Sequence, residues 1–482
     1  MESLNSYPKG EDANAMAKEY KTPFVYVEET SRFPPSIVPV ESALPAFIGY
    51  TEKADNATPG DLQLRPTRIT SLVEYERYFG TAQKEAGIKV TITHLADGTI
   101  DRTATLAEPK RSKHILYYAL QMFFANGGGP CYVISVGTYK ALGGDLGEND
   151  LITGLNAVRK EIEPTLIVFP EAQNLSTTAE FKMLHDAALQ QCADLQDRFV
   201  IMDIHGGAHS LSDPATDLME AVKNFRDTGI GSENLTYGAA YAPNVRTTIS
   251  LVYDEAATDV VIDGAALVKL DTLQKANNQL YELAQAAIRD MSCDLPPSST
   301  IAGVYASVDS SRGVWKAPAN VNLAAVVEPT IGLTTADQDA MNVAGKPVNA
   351  IRLFAGKGTL VWGARTLAGN DNEWRYVNIR RLFIFVEEST RRSTEQFVFE
   401  PNDANTWVKL QGMIENFLTT LWRDGALQGV KPEQAFYVAV GLGKTMTALD
   451  ILEGRMIVEI GMAAVRPAEF IILRFSCKMV GS

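Results

Sequence analysis

Few residues in this 482-residue chain are placed to do chemistry, and their spacing argues against most of the reactions they suggest. Gly441-Leu442-Gly443-Lys444-Thr445 sets glycine amides ahead of a lysine and a hydroxyl, the ingredients of a loop that cradles phosphates and holds magnesium. Such a loop needs a glycine five positions before Gly443; Val438 stands there, inside an apparent strand, so the spacing predicts a plain turn. Asp203, His205 and His209 alternate with glycines, and two imidazoles plus a carboxylate could ligate a metal if a loop gathered them. Gly206 and Gly207 break the helix that would present both rings on one face. Gly127-Gly128-Gly129 precedes a strand instead of a helix and lacks the dinucleotide-binding order, which predicts a tight turn. No GxSxG or HExxH is present, and five histidines leave few groups for proton transfer near neutral pH. No convincing active site emerges, and no cofactor is expected.

The other charged and sulfur-bearing residues point the same way. Cys131, Cys192, Cys293 and Cys477 are too widely spaced for a zinc site and read as free, buried thiols. Lysine and arginine total 44 against 58 acids, so the net charge of −14 disfavours nucleic acid and anionic lipid as partners. Arg380-Arg381 and Arg391-Arg392 form the densest basic stretch, at the two ends of a predicted helix; they are either a solvated face or a contact patch for an acidic protein surface. No run approaches the ~20 apolar residues of a membrane helix, and residues 1–21 lack an apolar signal core, so cytosolic synthesis is expected.

The elements that must carry these residues alternate. A composition 46% apolar and 21% charged supports a sizeable core, and the length predicts about three domains. Residues 1–21 read as a flexible arm, followed by a strand at Phe24–Val27, a Pro34-Pro35 turn and a second strand around Ala46–Tyr50. Ala96-Asp97-Gly98-Thr99 predicts a hairpin turn within a small β insertion. Helix (Ile115–Ala125), glycine turn and strand (Cys131–Val136), then Thr165–Phe169, Thr178–Cys192 and Arg198–Ile204, form an α/β alternation. A boundary is expected near residue 293. Beyond it, Trp374–Ser389 reads as a helix, and a second helix carries an apolar stripe of Trp407, Leu410, Ile414, Phe417, Leu418 and Leu421, capped by Asn402 or Asp403 and ended by Gly425. Phe436–Val440, Met456–Ile460 and Glu469–Phe475 read as strands.

Several blocks in order resemble the contractile tail sheath protein family. They are Thr22-Pro23-Phe24-Val25-Tyr26-Val27 with Pro45-Ala46-Phe47-Ile48-Gly49-Tyr50, then Phe124-Ala125-Asn126-Gly127-Gly128-Gly129-Pro130, Arg312-Gly313-Val314-Trp315-Lys316-Ala317-Pro318, Val361-Trp362-Gly363-Ala364-Arg365, Phe397-Val398-Phe399-Glu400-Pro401-Asn402, Leu421-Trp422-Arg423-Asp424-Gly425 and Arg466-Pro467-Ala468-Glu469-Phe470. The resemblance implies a non-enzymatic subunit of a phage tail or contractile injection system, stacking as hexameric rings around an inner tube and shortening to drive that tube through a target envelope. It implies an α/β and α+β multidomain fold: a discontinuous inner α+β domain from the N- and C-terminal parts, an inserted α/β middle domain, and extended terminal arms. The expected segments are 1–21, 22–50, 51–112, 113–292, 293–465 and 466–482. Implied partners are the chain itself, the inner tube protein, and baseplate and cap proteins. Implied placement is the bacterial cytoplasm during assembly, then the tail or particle.

On this reading the tube contacts are Arg380, Arg381, Arg391, Arg392, Trp407 and Lys409, and reversing the four arginines should leave the monomer folded. The inter-subunit arms would carry Tyr20, Thr22, Phe24, Val25, Tyr26 and Val27 at one end and Phe470, Ile472 and Arg474 at the other. Extended arms suit β-augmentation, because unpaired backbone donors and acceptors can join an open sheet edge. The alternatives are an NTPase using Lys444, a metal hydrolase using His205 and His209, or another tail or baseplate component.

Overall fold

The computed structural model describes residues 36–106, 111–207, 217–343, 345–470 and 472. The expected arm at 1–21, the strand at Phe24–Val27 and the Pro34-Pro35 turn lie outside the described residues.

Short, wholly apolar strands need cover on both faces, and parallel pairing between helices supplies it. Every residue of Pro45–Thr51 is buried, and this strand lies within a nine-stranded sheet. The order is Val321–Asn322, Gly358–Val361, Val348–Phe354, Gly238–Ala242, Phe199–Met202, Leu166–Val168, Pro45–Thr51, Cys131–Thr138 and Thr67–Ile69. From Val348–Phe354 to Cys131–Thr138 all neighbours are parallel. Phe47 pairs with Val133 on one side and Val168 on the other. Helices Leu116–Ala125 and Ser298–Arg312 pack together against the sheet, as do Glu148–Val158 and Thr178–Leu195. The last begins in a reciprocal cap, Thr177 and Glu180 each bonding the other's backbone amide.

The glycine turn is as expected. Gly128 N donates to Phe123 O at 3.0 Å and Gly127 N to Phe124 O at 3.2 Å, with Gly127 at φ +91°, a helix end that a Cβ would block by standing 2.8 Å from Ser307.

The domain map needs correction. The central sheet takes strands from Pro45–Thr51 through Gly358–Val361, so pairing crosses the boundary expected near 293, and Pro45–Thr51 belongs with the middle α/β part. The insertion expected at 51–112 is not self-contained. Thr67–Ile69 joins the central sheet, while the hairpin Ile88–His94 and Ile100–Leu106 pairs with Asp259–Ile262, which pairs with Val268–Lys269. Helices Leu270–Ala276 and Asn278–Arg289 bury one face of that hairpin in a separate core with Ile88, Val90 and Ile92. Alternating burial along Ile88–Ile92 encodes this one-sided packing.

A third core gathers Leu410, Ile414, Phe417, Leu418 and Leu421 of helix Ala404–Arg423 with Leu382, Val386, Val438 and, from far upstream, Ile37. Asp403 is the cap, accepting from Thr406 N at 3.0 Å. The preceding helix spans Val377–Thr394, starting later than expected: Glu373 and Trp374 lie in a turn whose amides donate to Asp371 Oδ1, Thr366 N donates to Arg375 O at 2.8 Å, and Tyr376 is extended and bridges to Arg365. Phe436–Val440 pairs antiparallel with Val458–Met462, two residues beyond the expected start of that strand. Glu469, Phe470 and Ile472 are not in a strand; the rest of the expected Glu469–Phe475 strand lies outside the described residues.

Candidate assembly interface

Among the described residues the enzyme-like constellations are not assembled. Asp203 is buried at the end of its strand and accepts from Ser298 N at 2.8 Å and Ser298 Oγ at 2.6 Å, capping the helix Ser298–Arg312; burial pushes its carboxyl up to about 7. His205 faces Leu175 O and Thr178 Oγ1 instead, and His209 lies outside the described residues. Among the described residues no group of three His, Cys, Asp or Glu side chains is set to hold a metal. Gly441–Lys444 forms a hydrogen-bonded turn, with Gly443 N donating to Met446 O at 2.9 Å. Cys131, Cys192 and Cys293 are free and buried, and burial raises all three thiols; Cys477 lies outside the described residues. No described helix is long and apolar enough to cross a membrane.

The arginine helix corrects the tube-contact assignment. Arg381 is 3% exposed and Asp309 6%; Arg381 donates to Asp309 Oδ1 at 3.1 Å and Oδ2 at 2.5 Å and to Ser42 O at 3.0 Å, with its guanidinium 4.5 Å from the Tyr305 ring centre. Arg380 is also buried, donating to Tyr237 and Glu387 between the Tyr237 and Trp374 rings. Neither is on the surface. Arg391 and Arg392 both grip the buried Glu388. Burial pushes that carboxyl up, and the two guanidiniums outweigh it, holding it below its ordinary value. Arg391 remains half-exposed, Trp407 is half-buried with Nε1 donating to Asn402 Oδ1, and Lys409 is exposed.

Each end of the described chain is tied down by a guanidinium–carboxylate pair. Residues 36–44 form a strap along the arginine helix: Val38 N donates to Ser393 Oγ, Val40 N to Ser389 Oγ, and Ser42 Oγ to Asp309, beside Arg381. Near the other end, Glu469 accepts from Arg365 Nη2 at 2.8 Å, Tyr376 Oη at 3.1 Å and Asn342 Nδ2 at 3.2 Å. Burial pushes the Glu469 carboxyl up, and these donors bring it below its ordinary value. Beyond this anchor Phe470 and Ile472 are exposed. Tyr20, Thr22, Phe24, Val25, Tyr26, Val27 and Arg474 lie outside the described residues.

Between these anchors is an unfinished sheet. Phe436–Val440 and Val458–Met462 have only each other as strand neighbours among the described residues, so one edge of each is open. One face packs on helix Ala404–Arg423, which a two-stranded ribbon needs for stability. Leu442, Leu449, Leu452 and Ile457 are exposed on the connection between the strands. Phe399 is fully exposed with φ +71°, a left-handed conformation costly for a bulky residue. The sequence reading missed these residues: their strand and turn patterns were visible, but nothing local marks an apolar side chain as uncovered.

Residues 369–478 match the phage tail sheath C-terminal domain family. Over 142 residues the chain is 30% identical to the tail sheath protein of Burkholderia phage BcepMu, covering 28% of this chain and 30% of that protein. The aligned stretches thus span less than a third of the curated tail sheath relatives. Two solved structures match nearly end to end. One is the contracted helical sheath of the anti-feeding prophage, 29% identical with a TM-score of 0.62 over 95% of this chain and 100% of that chain. The other is the contracted PVC sheath of an extracellular contractile injection system, 28% identical with a TM-score of 0.62 over 96% and 99%.

Proposed function

We propose, from the premise that this chain belongs to the contractile tail sheath family, that it is a structural subunit repeated along the sheath of a phage tail or contractile injection particle. The observation that carries the proposal is the two-stranded sheet Phe436–Val440 and Val458–Met462, open at both edges among the described residues. Open edges invite a neighbour's extended segment, and the arms assigned that role are the terminal segments that leave the Arg381–Asp309 and Arg365–Glu469 anchors. At ~1 kcal/mol net per ladder hydrogen bond, a half-dozen-bond arm contributes several kcal/mol before its ordering cost. Such links hold neighbours together while their bodies rotate.

In this proposal subunits form hexameric rings stacked around an inner tube, and contraction is a rigid-body change between two packings that drives the tube through an envelope. The energy resides in the subunit interfaces, since Gly441–Lys444 lacks the spacing of a phosphate loop. Of the residues first assigned to the tube, Lys409, Trp407, Arg391 and Arg392 retain surface to offer; Arg380 and Arg381 do not. Assembly in the bacterial cytoplasm, with tube, baseplate and cap proteins as partners, completes the reading.

Deleting residues 1–35 tests it. The truncated chain should keep the circular dichroism spectrum and melting temperature of the full chain but fail to form striated cylinders in negative stain. Cylinders as abundant as those of the full chain would overturn the arm mechanism.

A further inference from the structure

Open parallel sheets bind ligands beyond the carboxyl ends of their strands, where the strand order reverses. Here the reversal falls at Pro45–Thr51: the next parallel strand in sequence, Cys131–Thr138, lies on one side and the following one, Leu166–Val168, on the other. That location is occupied by the chain itself. Glu171, three residues past Val168, is fully buried; its Oε2 accepts from Tyr50 N at 3.0 Å and its Oε1 from Ile115 N at 3.1 Å. Ile115 opens the ten-residue helix Leu116–Ala125, which has no side-chain cap and no acid in its first turn, so Glu171 supplies the negative charge that a helix start favours.

A third donor faces the same carboxylate. His114 has a side chain 1% exposed, and its Nδ1 lies 3.7 Å from Glu171 Oε1 with no hydrogen-bond partner. Its Nε2 accepts from Lys140 N at 2.9 Å, which places the proton of the neutral ring on Nδ1, toward Glu171. The ring is fixed between Tyr139 and Tyr50, with centroids 5.1 and 5.0 Å away. Gly49 leaves room for the carboxylate, because a Cβ there would stand 3.1 Å from Glu171 Oε2.

We propose that this is an anion site whose resident ligand is the Glu171 side chain, and that without that side chain it takes a small carboxylate. Glu171→Ala removes the methylene and carboxyl group that acetate reproduces. The two backbone amides that now bind Glu171 would then bind acetate, with the His114 Nδ1–H facing it as a third donor, and stability should rise with ligand concentration by mass action.

The test is thermal unfolding of the full chain at pH 7 in potassium acetate against potassium chloride at matched ionic strength. Glu171→Ala should melt below wild type in chloride and recover with the logarithm of acetate concentration. Wild type and Glu171→Gln, whose side chains fill the space, should respond equally to the two salts. Adding His114→Phe to Glu171→Ala should weaken the acetate response. Equal behaviour of Glu171→Ala in acetate and chloride, or an equal acetate gain in wild type, would overturn the proposal. If Glu171→Ala does not fold in chloride, recovery of folded protein in acetate supports the site, and failure in both salts overturns it.

Discussion

Replacing Arg381 should unfold the junction between strap and body, not merely alter a surface. The guanidinium makes two bonds to Asp309 and one to Ser42 O, and both side chains are nearly solvent-free. Removing one member of such a pair leaves a buried, uncompensated charge and costs about 3–5 kcal/mol. Arg381→Met should therefore lower the urea midpoint of the monomer by an amount equivalent to that range, and Arg381→Glu, which sets a second carboxylate against Asp309, should lie at its upper end or fail to fold. Asp309→Ala should cost a similar amount. The double variant Arg381→Met, Asp309→Ala should cost less than the sum of the singles, because no charge is then stranded. Lys409→Glu, on an exposed helix face, should stay within about 0.5 kcal/mol of wild type. Denaturant titrations of wild type and the five variants decide the matter. A loss below about 1 kcal/mol for Arg381→Met, with strictly additive singles, would refute the buried-clamp argument. Charge reversal of all four arginines is accordingly expected to damage the fold before it reports on any tube contact.

Other consequences are equally direct. Burial raises Asp203 to about 7, so the stability contributed by its protonated form is full below about pH 4 and is lost as pH rises through 7; Asp203→Asn should flatten the wild-type fall over that window, on the order of 4 kcal/mol, in melts taken from pH 4 to 8. Phe399→Gly should leave the monomer as stable as wild type or up to about 1 kcal/mol more stable, since glycine adopts φ +71° without strain, while raising the concentration at which cylinders appear. In a Cys477→Ser background, the buried Cys131, Cys192 and Cys293 should react with a disulfide reagent only after denaturation, when three thiols become titratable.

What could be read from sequence was local. The stripe from Leu410 to Leu421, the Asp403 cap and the Gly127–Gly129 turn each depend on residues within one or two turns of chain, and each formed as expected. The hairpin turn at Ala96–Thr99 did too, with Gly98 N donating to Leu95 O. The arginines misled because charge in sequence reads as surface, whereas the partners that bury them are remote: Asp309 lies 72 positions from Arg381 and Tyr237 lies 143 from Arg380. Domain limits misled for the same reason, since a parallel sheet joins strands that no short-range signal connects. Glu171 gave no signal at all; an acid after Phe169-Pro170 becomes an internal ligand only once Tyr50 and Ile115 are folded around it.

Electron microscopy of the concentrated full chain, carried to a helical reconstruction, tests the central claim most directly. Hollow striated cylinders are expected, with an extended segment of an adjacent copy lying along the free edge of Phe436–Val440 or Val458–Met462. Monomers at every concentration, or cylinders in which both edges stay bare, would contradict it.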